Sequence, residues 1–387
     1  MLSYSVTEKL NHAFEMGPIR PPSEAYSLLI RATRNCPWNR CQFCSVYKGS
    51  KFELRPVEEI LKDIEAAKAI SEGIKEIAWK MGYGDRVREV AAILSNQPQY
   101  GQCVHNVALW LGAGGKSAFL QDSNTLIMRT SELTQVITFL RKTFPGLNRV
   151  TTYGRSHTAA RKSLAELKEL KDGGLDRVHV GLETGYDSLL AYMEKGCTAK
   201  NHIEGGKKVI EAGISLCEYV MPGLGGKKMS QEHAQETARV LNEIDPDYIR
   251  LRSLHVSPII PLWTRLQDGD FKLQTEDEVV KEIAVFIENL RVTSYVKSDH
   301  ILNLLMEVEG RMPEDKERCL NIIDKYLSLP VEERLNFKVG RRIGLYSRLA
   351  DLSDSYKHDH IEQALKRLRA QGSDVEKAIY SLRNSFI

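Results

Sequence analysis

The chain has 387 residues, 42% hydrophobic and 27% charged, a composition that excludes a disordered or fibrous protein and leaves room for two or three domains or one barrel with an appendage. Lys and Arg number 54 and Asp and Glu 51, a net charge of +3, which gives no electrostatic ground for nucleic acid or an anionic membrane as partner. No apolar run is long enough to span a bilayer, and Met1–Lys9 lacks a basic region followed by an apolar stretch, so the expected location is the cytoplasm.

In chain order, residues 26–32 read as a strand leading into a cysteine-rich loop. Val57, Ile60, Leu61 and Ile64 then recur at helical spacing behind Pro56 and predict a helix over 56–71. Residues 72–116 form a long insertion without a clear order. A second strand is expected at 117–121, a helix capped by Ser131 reaching Lys142, and a third strand at 149–153. Leu164, Leu167 and Leu170 mark a helix that stops at Gly173-Gly174. Strands at 177–182, 214–220 and 248–255 follow, with two short helices and one helix N-capped by Ser230 between them. Six strands joined by helical crossovers imply parallel pairing. The expected fold is therefore α/β, and function belongs at the C-terminal ends of the strands. Pro258, Pro261 and Gly269 mark a boundary to a mainly helical C-terminal part.

Seven cysteines are too few, and odd in number, for a disulfide framework. Three of them lie within nine residues, Cys36-Pro37-Trp38-Asn39-Arg40-Cys41-Gln42-Phe43-Cys44, a C-x4-C-x2-C arrangement on the loop after the first strand. Thiolates suit iron–sulfur clusters or zinc. A closed structural zinc site needs four ligands, and here no fourth is near; Cys103 or His105 completes one only through folding. On a four-iron cubane, three thiolates leave one iron open to a small-molecule ligand. The plain alternative is a set of buried or zinc-bound cysteines.

This arrangement resembles the radical S-adenosylmethionine (SAM) superfamily, whose most frequent spacing is C-x3-C-x2-C, one residue shorter. Phe43 sits where that family places an aromatic before the last cysteine, near the adenine. Val180–Gly185 and Met193–Gly196 are similar to the Elp3/HemN-like branch, and the likeness covers about residues 25–260. It implies a partial (β/α)6 TIM-like barrel over 25–260, with an N-terminal extension (1–24) and a mainly helical C-terminal domain (261–387). It also implies a [4Fe–4S] cluster on Cys36, Cys41 and Cys44, and SAM as second cofactor. Glu183 then faces the SAM ribose. Gln121, Asp122, Ser123 and Asn124 stand at the place of the segment that binds the SAM amino group. Arg155 is suited to its carboxylate, Gly223 to close approach of the nucleoside, and His255 to the pocket. The chemistry implied is reductive SAM cleavage to a 5′-deoxyadenosyl radical, with flavodoxin or ferredoxin as electron donor.

The substrate expected from these readings is a small molecule, with tRNA or cofactor modification as the alternative and no clear nucleic-acid partner. With the cysteines so near the N-terminus, no cobalamin domain is expected ahead of them. A reading from a different class is a non-catalytic iron–sulfur or zinc protein that senses redox state. Asp299 and His300, beside Asn303, and Cys197 are the candidates for substrate-side chemistry; capping by Ser298 or Asp299 and plain packing of Cys197 are the competing readings. Gly112–Ser117 is not a phosphate loop, because Trp110 occupies the position of its first glycine. Gly340-Arg341-Arg342 reads as an anion site or as solvated surface. Cys103, Cys197, Cys217 and Cys319 make no second cluster motif.

Overall fold

The structure is a computed structural model and describes residues 4–370 and 374–383. Residues 1–3, which open the expected N-terminal extension, and 371–373 and 384–387 of the C-terminal region lie outside the described residues. Eight strands form one sheet: β1 (Leu28–Arg31), β2 (Ser117–Gln121), β3 (Arg149–Gly154), β4 (Arg177–Glu183), β5 (Ser215–Val220), β6 (Tyr248–Leu251), β7 (Tyr295–Lys297) and β8 (Gly310–Arg311), in that order across the sheet. The fold is α/β, as expected. Neighbouring strands β1 to β4 run parallel, as do β5 to β7, and β8 closes the edge antiparallel to β7. The last two strands fall in the region expected to be mainly helical. They are three and two residues long, too short for an alternating pattern to show.

By internal contacts the described residues divide into two compact units. The first holds the chain up to Asn39, Val46–Val180 and Glu204–Leu216; the second holds Arg40–Ser45, Gly181–Ile203 and the chain from Cys217 on.

In the first unit, Leu28, Ile30, Phe119, Leu120 and Val150 are fully buried on β1 to β3. The long helix Val57–Lys80 buries Ile60, Ile64, Ile70 and Ile74 at helical spacing and packs on Thr130–Thr143. It runs nine residues past its expected end at Ser71, because Ile74, Ile77 and Ala78 continue the apolar stripe. The rest of the 72–116 insertion forms helices Val87–Leu94 and Gln102–Gly112, which pack together and against Val57–Lys80. Helix Leu164–Asp172 starts with a capping box of Ser163 and Glu166 and ends at Gly173.

Two expected caps are corrected. Helix Thr130–Thr143 begins one residue before Ser131, with Arg129 in the cap position. Helix Ser230–Ile244 has Met229 there, because the Ser230 hydroxyl donates instead to Glu282, at 2.6 Å. In the second unit a core of Leu189, Met193, Leu224, Leu254, Ile260, Leu262 and Phe271 also receives Phe43 of the cysteine loop.

Candidate active site

In the first unit the loop that carries Cys36 is anchored on one carboxylate. Asp122 follows β2, is fully buried, and accepts from Arg31 Nη2 (2.8 Å), Arg31 Nε (3.1 Å), the Asn35 backbone N–H (3.1 Å) and the Tyr47 hydroxyl. Burial pushes its carboxyl above the usual range, opposed by the Tyr47 and Arg31 hydrogen bonds. Arg31 also pairs with Glu15 at 2.9 Å; Glu15 in turn holds Arg34 at 2.6 Å and Arg55 at 3.3 Å, and Arg55 reaches Asp63 at 2.7 Å. A charged lattice thus braces the backbone just before Cys36. Asn35 and Asn39 adopt left-handed backbone, φ 67° and 48°, a conformation asparagine tolerates. That turn aims the Asn39 N–H at Cys36 Sγ, 3.4 Å away.

The four polar residues expected at the SAM amino group each have protein partners. Gln121 clamps the N-terminal segment through Gly17 and Ile19, at 2.7 to 3.0 Å. Ser123 donates to the Asn35 carbonyl at 3.0 Å. Asn124 joins the Arg155 backbone N–H (2.9 Å) and Thr158 (2.9 Å). The Arg155 guanidinium stacks over Trp38, 5.3 Å from the ring centre, inside the cysteine segment. These side chains shape the loop and the strand ends.

In the second unit Cys41 and Cys44 sit on a tight turn, Cys44 N–H donating to the Cys41 carbonyl at 3.4 Å, with Phe43 between them. The Lys195 ammonium lies 5.5 Å from the centre of the Phe43 ring and 3.2 Å from Glu183 Oε1. Glu183 ends β4 with φ 65°, and its side chain folds back over Gly181. A Cβ at Gly181 would run into Glu183 Oε1 and come 3.1 Å from Lys195 Nζ, so a larger residue there pushes these flexible side-chain ends aside. Gly181→Ala is expected to displace the Glu183 carboxylate from Lys195 and to weaken SAM binding about tenfold, the scale of one charge-assisted hydrogen bond, without changing iron content. Titration with SAM and iron analysis check both parts.

Beside this pair lies a residue that the sequence reading passed over. Glu218, on β5, is 1% exposed, and its Oε2 has no hydrogen-bond partner. Burial raises its carboxyl well above the usual range; Lys195 opposes the shift and Glu183 adds to it. The signal was a lone acid in the strand Leu216-Cys217-Glu218-Tyr219-Val220, where charged residues are rarely buried without a role. The native state therefore holds a proton that the unfolded chain releases above pH ~4.3. Stability linked to that proton is complete below that pH and is lost as pH rises toward the native value. Glu218→Gln cannot ionise, so its melting temperature relative to wild type is expected to climb as pH rises above ~4.3, as thermal melts from acid to alkaline pH will show.

The remaining candidates scatter. Gly223 has φ 88° and gives its N–H to the buried Glu282 at 2.7 Å, which makes it a turn residue. His255 lies past the end of β6 and stacks on Tyr380, centroids 5.6 Å apart. Cys197 Sγ is 3.4 Å from His202 Nε2. Asp299 pairs with Arg250 at 2.8 Å, and the Leu302 N–H donates to His300 Nδ1 at 3.3 Å. The expected helix start at Ser298 or Asp299 is absent. Ser298 donates to the Leu305 carbonyl at 3.0 Å, and Asn303 binds Ser253 (2.9 Å) and the Leu251 carbonyl (2.8 Å), tying two loops together. Arg341 and Arg342 are buried, so the solvated-surface reading of that pair does not hold.

The donor set fits a three-thiolate cluster. Cys36, Cys41 and Cys44 are half-buried, so their sulfurs are not locked in the core. A backbone N–H points at one sulfur, the kind of hydrogen bond that tunes cluster thiolates.

Parallel strands with a three-cysteine loop behind the first define an α/β metalloenzyme scaffold. Residues 138–240 match the model of the Radical SAM superfamily. That segment carries a radical SAM domain, the mark of an enzyme whose cofactors are a [4Fe–4S] cluster and SAM. It is 22% identical over 120 residues to a tRNA uridine(34) acetyltransferase of Methanocaldococcus jannaschii, a match covering 31% of this chain and 22% of the relative. It is also 22% identical over 122 residues to the uncharacterized protein YtqA of Bacillus subtilis, covering 32% of this chain and 37% of that one. The match thus spans about a fifth of the acetyltransferase. Among solved structures, coproporphyrinogen III oxidase (HemN) of Escherichia coli aligns with TM-score 0.44 at 13% identity, over 74% of this chain and 56% of that one.

The expected partners are corrected by these relatives. A chain of balanced net charge gave no sign of nucleic acid, yet the Methanocaldococcus relatives are tRNA uridine(34) acetyltransferases. Net charge averages over the whole surface and hides local cationic groups. Among the described residues no helix is long and apolar enough to cross a membrane.

Proposed function

We propose that the protein cleaves SAM reductively and uses the product radical on a nucleoside of tRNA. The observations that carry the first part are the cluster-compatible cysteine motif and, within the second unit, Phe43 beside the Glu183–Lys195–Glu218 group; the second part rests on the tRNA-modifying relatives. With the cluster on Cys36, Cys41 and Cys44, the cofactors supply one-electron cleavage of the sulfonium bond and a 5′-deoxyadenosyl radical able to abstract hydrogen.

The chain's own residues bind and orient. Glu183 offers a carboxylate to ribose hydroxyls, and Lys195 fixes that carboxylate while presenting an ammonium group to the SAM carboxylate. Glu218, whose carboxyl burial holds well above the usual range, offers a buried group with an unfilled oxygen. Phe43 packs on the core of the second unit and fixes the turn between Cys41 and Cys44. Asp122, Arg31 and Tyr47 keep the cysteine loop in place.

The test is anaerobic reconstitution with iron and sulfide, followed by dithionite and SAM, with and without bulk tRNA. The expected result is 5′-deoxyadenosine in both cases, more with tRNA, and a mass change in one tRNA nucleoside. No 5′-deoxyadenosine from protein with an intact cluster overturns the first part; an unchanged nucleoside profile with active cleavage overturns the second.

A further inference from the structure

Around His300 the second unit gathers more guanidinium groups than acids to match them. Arg250 and Asp299 pair at 2.8 Å and cancel. Arg342 donates from Nε to Glu276 Oε1 at 2.9 Å, a second cancelling pair. Arg383 is left 3.9 Å from that same oxygen, and its Nε has no hydrogen-bond partner although the side chain is only 6% exposed. The other oxygen of Glu276 is also unfilled. Arg252, on the loop after β6, is exposed and has no carboxylate at ion-pair distance among the described residues. His300 is half-buried between these groups. Burial, then Arg252, Arg383 and Arg342, hold its pKa down to about 4, against Asp299, so it stands as a neutral imidazole.

The surroundings are stiff. Arg342 donates to the carbonyls of Ile301 and Leu302, each at 3.0 Å, and Arg341 to that of Leu304 at 3.0 Å. Arg383 donates to the Leu254 carbonyl at 2.8 Å, and Tyr380 of the same helix receives the Val256 N–H at 3.1 Å. Asn303 ties Ser253 to this turn. The loop after β6 and the turn 300–304 are thus fixed against each other, with Arg252 at the exposed end and Arg383 behind. Arg252 has no carboxylate at ion-pair distance among the described residues and Arg383 only shares Glu276 with Arg342, and a cationic site fixed in this way is matched to an anion with several acceptor oxygens.

We propose that Arg252, Arg383 and His300 form a subsite for a phosphate group of the substrate. Arg252 supplies the exposed guanidinium, His300 a neutral ring donor, and Arg383 a buried positive charge. This deepens the proposed function and rests on it, since the phosphate is assigned to the RNA on which the radical acts. A free phosphate has the same chemistry, so the two sources are separated by the choice of probe.

Binding of a fluorescein-labelled single-stranded RNA, and of inorganic phosphate as competitor, is measured on the reconstituted protein across a salt series. Arg252→Ala and Arg252→Glu are compared with wild type and with Lys366→Ala, an exposed lysine that pairs with Glu362 elsewhere. The expected result is RNA affinity at least tenfold weaker in Arg252→Glu and weaker in Arg252→Ala, with Lys366→Ala unchanged. The log–log salt slope should fall by about 0.7 for the one lost contact. Loss of RNA binding with phosphate competing only weakly assigns the site to the RNA backbone, whereas equal loss for both probes assigns it to phosphate as such. RNA affinity and salt slope unchanged in both Arg252 variants, or no binding of either probe by wild type, overturns the subsite and leaves the arginines as a latch for the C-terminal helix. Formation of 5′-deoxyadenosine by wild type is scored separately, so failure of the subsite is distinguishable from failure of the SAM-cleavage reading.

Discussion

Replacing Cys41 with alanine is expected to abolish cluster assembly and to bring 5′-deoxyadenosine formation to background. Three half-buried thiols in nine residues are the only compact soft-donor set that the sequence offers, and no fourth cysteine lies nearby to substitute. Loss of one thiolate leaves two, which do not hold a cubane. Iron and sulfide analysis after anaerobic reconstitution, with the visible and paramagnetic spectra, reads the result directly. Cys36→Ala and Cys44→Ala should match it, while Cys197→Ala, whose thiol sits beside His202, should load iron normally. Normal loading of Cys41→Ala would sink the ligand assignment.

The second large effect is expected at Asp122. Asp122→Ala removes the acceptor of two Arg31 nitrogens, the Asn35 N–H and the Tyr47 hydroxyl together. Arg31 keeps Glu15 as partner, but its charge then faces an empty buried position. Breaking a buried ion pair from one side costs on the order of 3–5 kcal/mol. Unfolding in denaturant should show a loss of that size, and cluster loading should fall with it because the loop loses its anchor. Asp122→Asn retains acceptor capacity but not charge and should fall between. A loss below about 1 kcal/mol in Asp122→Ala would show that the carboxylate is not the anchor of the loop.

The strands were legible in the sequence wherever they were long. Ser117–Gln121 matches its expected span residue for residue, and Arg149–Gly154 and Arg177–Glu183 each run one residue longer than expected. Buried parallel strands announce themselves as apolar runs between turn residues. Tyr295–Lys297 was not legible, since three residues with one buried valine carry no period. Helix Ser230–Ile244 was placed correctly but its cap was not, because Ser230 had a tertiary partner in Glu282 that no local rule reveals.

The candidate site divides in the same way. The cysteines and Glu183 stood out as a local motif. Asp122 was noticed for its position and given a ligand, whereas its partners Arg31, Asn35 and Tyr47 show an anchoring role that only long-range contacts disclose. Lys195 lies in Met193–Gly196, where nothing in the local sequence marks it, and its contacts with Phe43 and Glu183 arise from folding. The arginines near His300 were hidden by a net charge close to zero, and Arg252 and Arg383 lie far apart in the sequence, so no local motif joins them.

The anchoring at Asp122 has a thermodynamic consequence for how the protein acquires its metal. Asn35 and Tyr47 both terminate on this one carboxylate, so the segment between them is a loop closed by protein contacts alone. The entropy of bringing the two ends together grows with the logarithm of loop length and is met here by folding of the polypeptide itself. Assembly of the cluster then orders only the interior of the loop, and its free energy goes into the metal–sulfur bonds rather than into chain closure. The apoprotein should accordingly show slow amide hydrogen exchange at Asn35, where the N–H is bonded to Asp122, and capture iron as a preformed chelator rather than fold around it.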